Sequence, residues 1–247
     1  MTTTPSRTPT AAAEGATRGT ARLLAAIAAT LGPLLFAAAG LVAPYDTDAS
    51  SKEIAREIAG NQGATELSVW LWTVGTVLFL PGLVAVALLA VARSARLGLW
   101  GSVLFGTGLI AVNATPNLDI VALGGFEKGV SQDSLVRIAD GVNELAVVNG
   151  PILYFVAAHV VGAILLGVAL LRGRVIPAWA AWLLILSMPL NVAGYVIGIA
   201  PLTALSFVMA AAAFAYVGLA LVRHGTGWAR TPWATGTGDG ETRRPAD

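Results

Sequence analysis

Residues 149–171 read NGPILYFVAAHVVGAILLGVALL and contain no charged side chain. A helix of about 20 apolar residues is long enough to cross the hydrocarbon core of a bilayer, which is about 30 Å thick. Lipid offers no partner to peptide N–H and C=O groups, so a run of this kind predicts a helix, which bonds these groups internally. We therefore predict that this run spans a membrane.

The same pattern recurs along the whole chain. Of the 247 residues, 56% are hydrophobic and 12% are charged, whereas a soluble domain usually has about 25% charged residues. The fold class predicted is an all-α, polytopic transmembrane bundle of six helices within residues 21–223. The predicted spans are residues 22–43, 67–92, 99–121, 149–171, 177–199 and 201–222.

The two ends of the chain differ from this pattern. Residues 1–20 and 224–247 are rich in small and polar residues and cannot bury enough apolar surface to fold, so we predict two disordered tails. The first apolar run, of about 21 residues, is longer than the 7 to 15 of a signal peptide, so we expect it to remain as a span.

Lysine and arginine in the connections predict the orientation, because they are enriched on the cytoplasmic side. With both termini in the cytoplasm of a cell membrane, the outer connections hold only four of the 15 basic residues: Lys52, Arg56, Lys128 and Arg137. The cytoplasmic side then holds Arg7, Arg18, Arg22, Arg93, Arg96, Arg172, Arg174, Arg223, Arg230, Arg243 and Arg244.

Two short amphipathic helices are predicted in the outer loops. Ser50 to Glu53 read S-S-K-E, a capping box, and Gly60 is a natural end for the helix that follows. In the second loop, Ser131 or Ser134 can cap a helix with an apolar stripe. These helices either only give regular structure to long connections or form a lid over an outward-facing pocket.

Polar residues interrupt the third predicted span, where residues 111–122 read AVNATPNLDIVA. Asn113 and Asn117 are one helical turn apart and share a face of a continuous helix. Pro116 frees the carbonyl of Val112 and loosens the helix, and the neighbouring Thr115 hydroxyl could bond that carbonyl.

Other spans carry polar groups at comparable depths. With a rise of 1.5 Å per residue from Leu99, Asn113 lies about 21 Å and Asp119 about 30 Å from the inner side. If the polar faces converge, they form an outward-facing pocket. The residues expected to line it are Asn113, Asn117, Asp119, Tyr154, His159, Asn191 and Tyr195, with Glu144 at its mouth. The alternative is that these side chains only join helices, as intramembrane Asn often does.

Several chemistries lack the residues that they need. The chain has no cysteine, no H-E-x-x-H zinc motif and no intramembrane lysine, and it has one histidine, His159, within the predicted spans. No G-x-S-x-G surrounds a serine, and no basic tract is typical of nucleic-acid binding. We therefore expect no catalytic residues, no cofactor, no metal site and no nucleic-acid partner.

The general layout resembles the alanine-rich, six-span bacterial integral membrane proteins that are classed only as domains of unknown function. The similarity covers residues 22–223 and rests on the acidic, capped loop at 46–59, a span ending in VARSARLG, and short arginine-bearing hairpins. It implies no functional residue. Two hypotheses remain open besides contact with the lipid bilayer. One is binding or translocation of a small solute, and the other is a non-catalytic membrane subunit or scaffold that acts through a partner protein or a homo-oligomer.

Overall fold

The computed structural model describes residues 11–228, with side chains over residues 18–225. In this range the chain is all-α and has no strand. Six segments are long and apolar enough to cross a membrane, which confirms the predicted six-span bundle and makes the chain a multi-pass membrane protein. The helices are α1 (Ala11–Val42), α2 (Ser51–Gly60), α3 (Gln62–Arg93), α4 (Ala95–Asn113), α5 (Leu118–Glu127), α6 (Gln132–Asn143), α7 (Ala146–Arg172), α8 (Ala178–Val196) and α9 (Ala200–Trp228).

The described parts of the two expected disordered tails are mainly helical. Helix α1 begins at Ala11 and α9 is regular as far as His224, so each helix continues beyond the predicted apolar run. Gly225, with φ 65° and ψ −178°, kinks α9 before its last residues, which end at Trp228. Alanine has the highest helix propensity, and the alanine-rich start of α1 can extend a helix that packing has already nucleated. Residues 1–10 and 229–247, the rest of the predicted tails, lie outside the described residues.

Helix α3 runs through the middle of the bundle and packs against α1, α4, α7 and α9. Its Phe79 ring contacts one phenylalanine ring from each of three other spans, with centroid distances of 5.8 Å to Phe36, 5.6 Å to Phe105 and 5.7 Å to Phe214. Aromatic pairs at this separation attract each other beyond the area that they bury. This cluster joins α1, α4 and α9 around α3.

Two glycines allow α4 and α7 to pack closely. A Cβ atom built on Gly162 would lie 2.6 Å from the backbone N of Phe105, and one built on Gly101 would lie 2.7 Å from the backbone N of Leu166. Small residues at such crossings let membrane helices approach when lipid supplies no hydrophobic driving force.

Helices α2, α5 and α6, which we call the cap helices, contact one another at one end of the bundle. The predicted capping box is present: Ser50 Oγ accepts from the Glu53 backbone N–H, and the Glu53 carboxylate accepts from the Ser50 backbone N–H at 2.9 Å. Ser131 caps α6, and α2 ends at the expected Gly60. The two predicted loop helices are thus confirmed, and α5 is a third that the sequence did not predict.

Residues 43–50, which we call the latch loop, connect α1 to α2 and rest on the turn between α8 and α9. Thr47 Oγ1 donates to the Tyr195 carbonyl at 3.0 Å. Gly198 in the turn has φ 72°, and the Asp48 carboxylate occupies the place where a Cβ would be. Both features favour glycine at this position.

We expect Gly162→Ala to destabilise the bundle, because the added methyl group must push the Phe105 backbone away. Overpacking of this kind costs about 1–3 kcal/mol. Thermal unfolding of the purified protein in detergent would measure the effect.

The matched control is Gly40→Ala in α1, where a Cβ would meet nothing within 4 Å and the next residue is Leu41, not a proline. This change should leave the unfolding temperature unchanged or raise it slightly, because alanine favours helix by up to about 1 kcal/mol over glycine. Equal unfolding temperatures for the two variants would contradict the close packing of α4 and α7.

Candidate functional site

A cavity of about 630 Å³ lies between the cap helices and the adjoining ends of the spans. All nine described helices contribute at least one residue to its wall. Small-molecule sites usually have volumes of about 300–1,000 Å³, so the space is large enough for a small solute. Apolar residues of α2 and α6 form part of the wall, which favours the interpretation of these helices as a lid.

The break between α4 and α5 positions the polar part of the wall. Pro116 cannot continue the i to i−4 hydrogen bonding, so α4 ends at Asn113 and α5 begins at Leu118. Thr115 Oγ1 donates to the Val112 carbonyl at 2.7 Å, as the sequence predicts. The predicted third span lies within the membrane-spanning segment Ala95–Glu127, but it is divided into two helices and is not one continuous helix.

Asn117 has a different role from the one that a continuous helix implies. Its Oδ1 accepts from the backbone N–H groups of Asp119 at 3.0 Å and Ile120 at 3.2 Å, which makes it the N-cap of α5. Asn117 still lies on the cavity wall, but its Oδ1 atom already accepts hydrogen bonds from the first turn of α5.

Asn113 joins two spans at the wall. Its Oδ1 accepts from Trp72 Nε1 at 3.1 Å and from Thr76 Oγ1 at 3.4 Å, and its Nδ2 donates to the Leu109 carbonyl at 2.8 Å. The indole N–H of Trp72 thereby finds the partner that a partly buried tryptophan needs. Asn113 holds the Trp72 ring in place beside the cavity.

Asp119 is the only charged side chain on the wall among the described residues. The Tyr45 hydroxyl donates to its carboxylate and lies 2.7 Å from both Oδ1 and Oδ2. Burial, together with the negative charge of Asp119, raises the pKa of Tyr45 above its ordinary value. Hydrogen bonds to charged groups contribute about 1.5–3 kcal/mol, so this contact fastens the latch loop to α5.

Two residues of α8 complete the polar wall. Asn191 is 8% exposed, and its Nδ2 donates to Ser206 Oγ of α9 at 3.0 Å. Ser206 in turn donates to the Thr203 carbonyl at 2.6 Å. Tyr195 lines the cavity with its side chain, and its carbonyl holds the latch loop through Thr47.

The remaining three predicted residues do not line this cavity. The Tyr154 hydroxyl is hydrogen-bonded to Thr107 at 2.7 Å on an exposed face of the bundle, and Glu144 is exposed at the end of α6. His159 is 3% exposed and lies deeper, stacked on Phe155 with a centroid distance of 4.2 Å. The structure thus brings together five of the eight predicted site residues.

The floor of the cavity consists of aromatic rings that the sequence analysis did not single out: Phe36, Trp72, Phe155 and Phe207. Phe36 lies 4.6 Å from Trp72 and 5.5 Å from Phe207, measured between ring centroids. Below these rings is a space of only about 20 Å³, which is lined by His159 and Met188 among others. The floor therefore closes the cavity toward the middle of the bundle.

Over the described residues, no cluster of three or more His, Cys, Asp or Glu side chains is placed to hold a metal ion. Comparison of the chain with family models, curated proteins and solved structures found no match. The geometry of the cavity is therefore the basis for a functional proposal.

Tyr45 is expected to stay protonated at pH values at which an ordinary tyrosine, with a pKa of about 10, ionises. Because the pKa is raised in the folded state, the stabilisation by this hydrogen bond is fully present below about pH 10 and is lost as the pH rises through the raised value. Titration of the tyrosinate absorbance in wild type and Tyr45→Phe measures this, and the two curves should coincide around pH 10.

Asp119→Asn provides the comparison, because it removes the negative charge of Asp119, which adds to the effect of burial in raising the pKa of Tyr45. In this variant Tyr45 should begin to ionise at a lower pH than in the wild type. A wild-type curve that exceeds the Tyr45→Phe curve by about half a tyrosinate at pH 10, as an ordinary tyrosine would give, would contradict the Tyr45–Asp119 contact.

Proposed function

We propose that the protein resides in the cell membrane, with both termini in the cytoplasm, and binds or translocates a small solute through the cavity beneath the cap helices. The observation that carries the proposal is the cavity itself, with its volume of about 630 Å³ and its mixed polar and aromatic wall. Ligand sites are typically concave, mostly apolar, and supplied with a few polar groups that fix orientation.

The distribution of basic residues supports an outward-facing cavity. The connections at the end of the bundle opposite the cap helices carry Arg93, Arg96, Arg172 and Arg174. Positively charged residues in short connections favour the cytoplasmic side. The cap helices, and the cavity with them, then face the outside of the cell.

The chemistry of the wall supports binding without catalysis. Asp119 is its one carboxylate, and no lysine, arginine or histidine stands beside it among the described residues. General acid–base catalysis needs a positioned proton donor or acceptor close to the operating pH, and Asp119 already accepts from Tyr45. The closed aromatic floor supports a site that holds its solute at the outer side.

Cysteine labelling of the cysteine-free chain tests whether the cavity is open to water. Val112 lies on the cavity wall, whereas Ile110, two residues earlier in α4, is 59% exposed and does not line the cavity. Val112→Cys should react with a charged, membrane-impermeant thiol reagent much faster than Ile110→Cys, because thiolates form in water and not in lipid. Slow labelling of both, or faster labelling of Ile110→Cys, would count against an open cavity.

The orientation can be tested with two further single-cysteine variants. Asp46 is an exposed residue of the latch loop, and Ser94 is the single residue between α3 and α4 at the opposite end. In intact cells an impermeant reagent should label Asp46→Cys, and it should label Ser94→Cys only after permeabilisation. The reverse result would place the cavity on the cytoplasmic side.

A further inference from the structure

The charge of the cavity wall restricts which solutes fit it. Asp119 carries the only ionised side chain on the wall among the described residues, and the wall has no basic residue to balance it. A carboxylate has about four acceptor sites, and the single Tyr45 hydroxyl hydrogen fills one of them. The Asp119 carboxylate therefore has acceptor sites left with which it can bind a hydrogen-bond donor of a solute.

The floor favours the same kind of solute. Phe36, Trp72, Phe155 and Phe207 present aromatic rings to the cavity. The faces of such rings attract cations, and tryptophan does so most strongly. They also provide apolar surface for the body of a solute.

His159, which lies deeper in the bundle, also offers a hydrogen-bond acceptor. His159 Nδ1 contacts the Phe155 carbonyl, which can only accept, so Nδ1 carries the hydrogen. In a neutral ring Nε2 is then an acceptor. This atom is buried without a hydrogen-bond partner and lines the small space under the floor.

On the basis of the proposed function, we propose that the solute is a small organic cation, namely a protonated amine with an apolar or aromatic body. Its ammonium group donates to the Asp119 carboxylate, and its body lies on the rings of the floor. An anionic solute would meet the uncompensated charge of Asp119, and a neutral one could donate a hydrogen bond to that carboxylate but would leave its negative charge unbalanced.

Calorimetric titration of the full chain in lipid nanodiscs tests this with three probes of similar body: 2-phenylethylamine, 2-phenylethanol and 3-phenylpropanoate. The amine should bind at least about tenfold more tightly than the alcohol, because both can donate a hydrogen bond to the carboxylate but only the ammonium group also brings a positive charge to it. The carboxylate probe should bind most weakly. Equal affinity for amine and alcohol would overturn the assignment of a cation.

Three variants distinguish an effect of the Asp119 charge from a structural effect of breaking the Tyr45–Asp119 contact. Asp119→Asn should reduce the affinity for the amine about tenfold or more, to the level of the alcohol, whereas Asp140→Asn, on the exposed face of α6 outside the cavity, should change nothing. Tyr45→Phe breaks the same contact as Asp119→Asn but keeps the carboxylate, so it should retain amine binding. If Tyr45→Phe loses binding as fully as Asp119→Asn, the latch-loop contact and not the charge is responsible, and the proposal fails.

A variant that fills the cavity distinguishes the two proposals from each other. Ala139 lies on the cavity wall, so Ala139→Phe should block every probe that binds there. If all probes bind equally and Ala139→Phe blocks them, the cavity binds solutes but does not select cations. If no probe binds to the wild type, both the cation assignment and the proposed function are overturned.

Discussion

Hydrocarbon gives peptide groups no hydrogen-bond partner, and the break at residues 114–117 is where this chain meets that constraint most directly. The 19 residues of α4 rise about 28 Å, close to the thickness of a bilayer core. Only at that height does the helix end. Thr115 bonds the Val112 carbonyl and Asn117 bonds two N–H groups of α5. Side chains at the break therefore satisfy backbone groups that the interrupted helix leaves free. This allows α5 to change direction and pack with the other cap helices.

That turn creates the space beneath the cap. A continuous third span would have carried residues 118–121 straight on, away from the other outer helices. Because the chain instead folds over at Pro116, Asp119 lies within reach of Tyr45 in the latch loop. The polar wall and the aromatic floor then come from different layers: the wall lies at the ends of the spans, and the floor lies among them. Over the described residues, the resulting cavity has one charged side chain near its opening and four aromatic rings at its floor.

The sequence predicts the features that depend on local physics. Apolar runs predict the six spans, and serine followed by glutamate three residues later predicts the start of α2. Depth also follows from the rise per residue, which is why Asn113, Asn117 and Asp119 were recognised. The rotation of each helix about its axis depends on packing against its neighbours. Tyr154 and His159 have suitable depths but face Thr107 and the space below the floor.

The floor residues and Tyr45 also depend on tertiary packing, which local sequence does not specify. A phenylalanine in an apolar span has no local signal that separates a cavity floor from a lipid-facing or core position, so Phe36 and Phe207 could not be singled out. Tyr45 lies in a connection, and only the fold brings it to a residue 74 positions away in the chain. The depth of Asn117 follows from the sequence, but its role does not. Its side-chain oxygen caps the N-terminus of α5.

The latch loop holds three separate segments through three consecutive contacts. Tyr45 bonds α5, Thr47 bonds the end of α8, and Asp48 covers Gly198 in the turn that leads into α9. Since one short stretch of backbone carries all three contacts, displacement at one contact strains the others, as in the small cooperative units that open together in proteins. The latch loop therefore couples α5, the end of α8 and the turn into α9 mechanically, although these segments are far apart in the sequence.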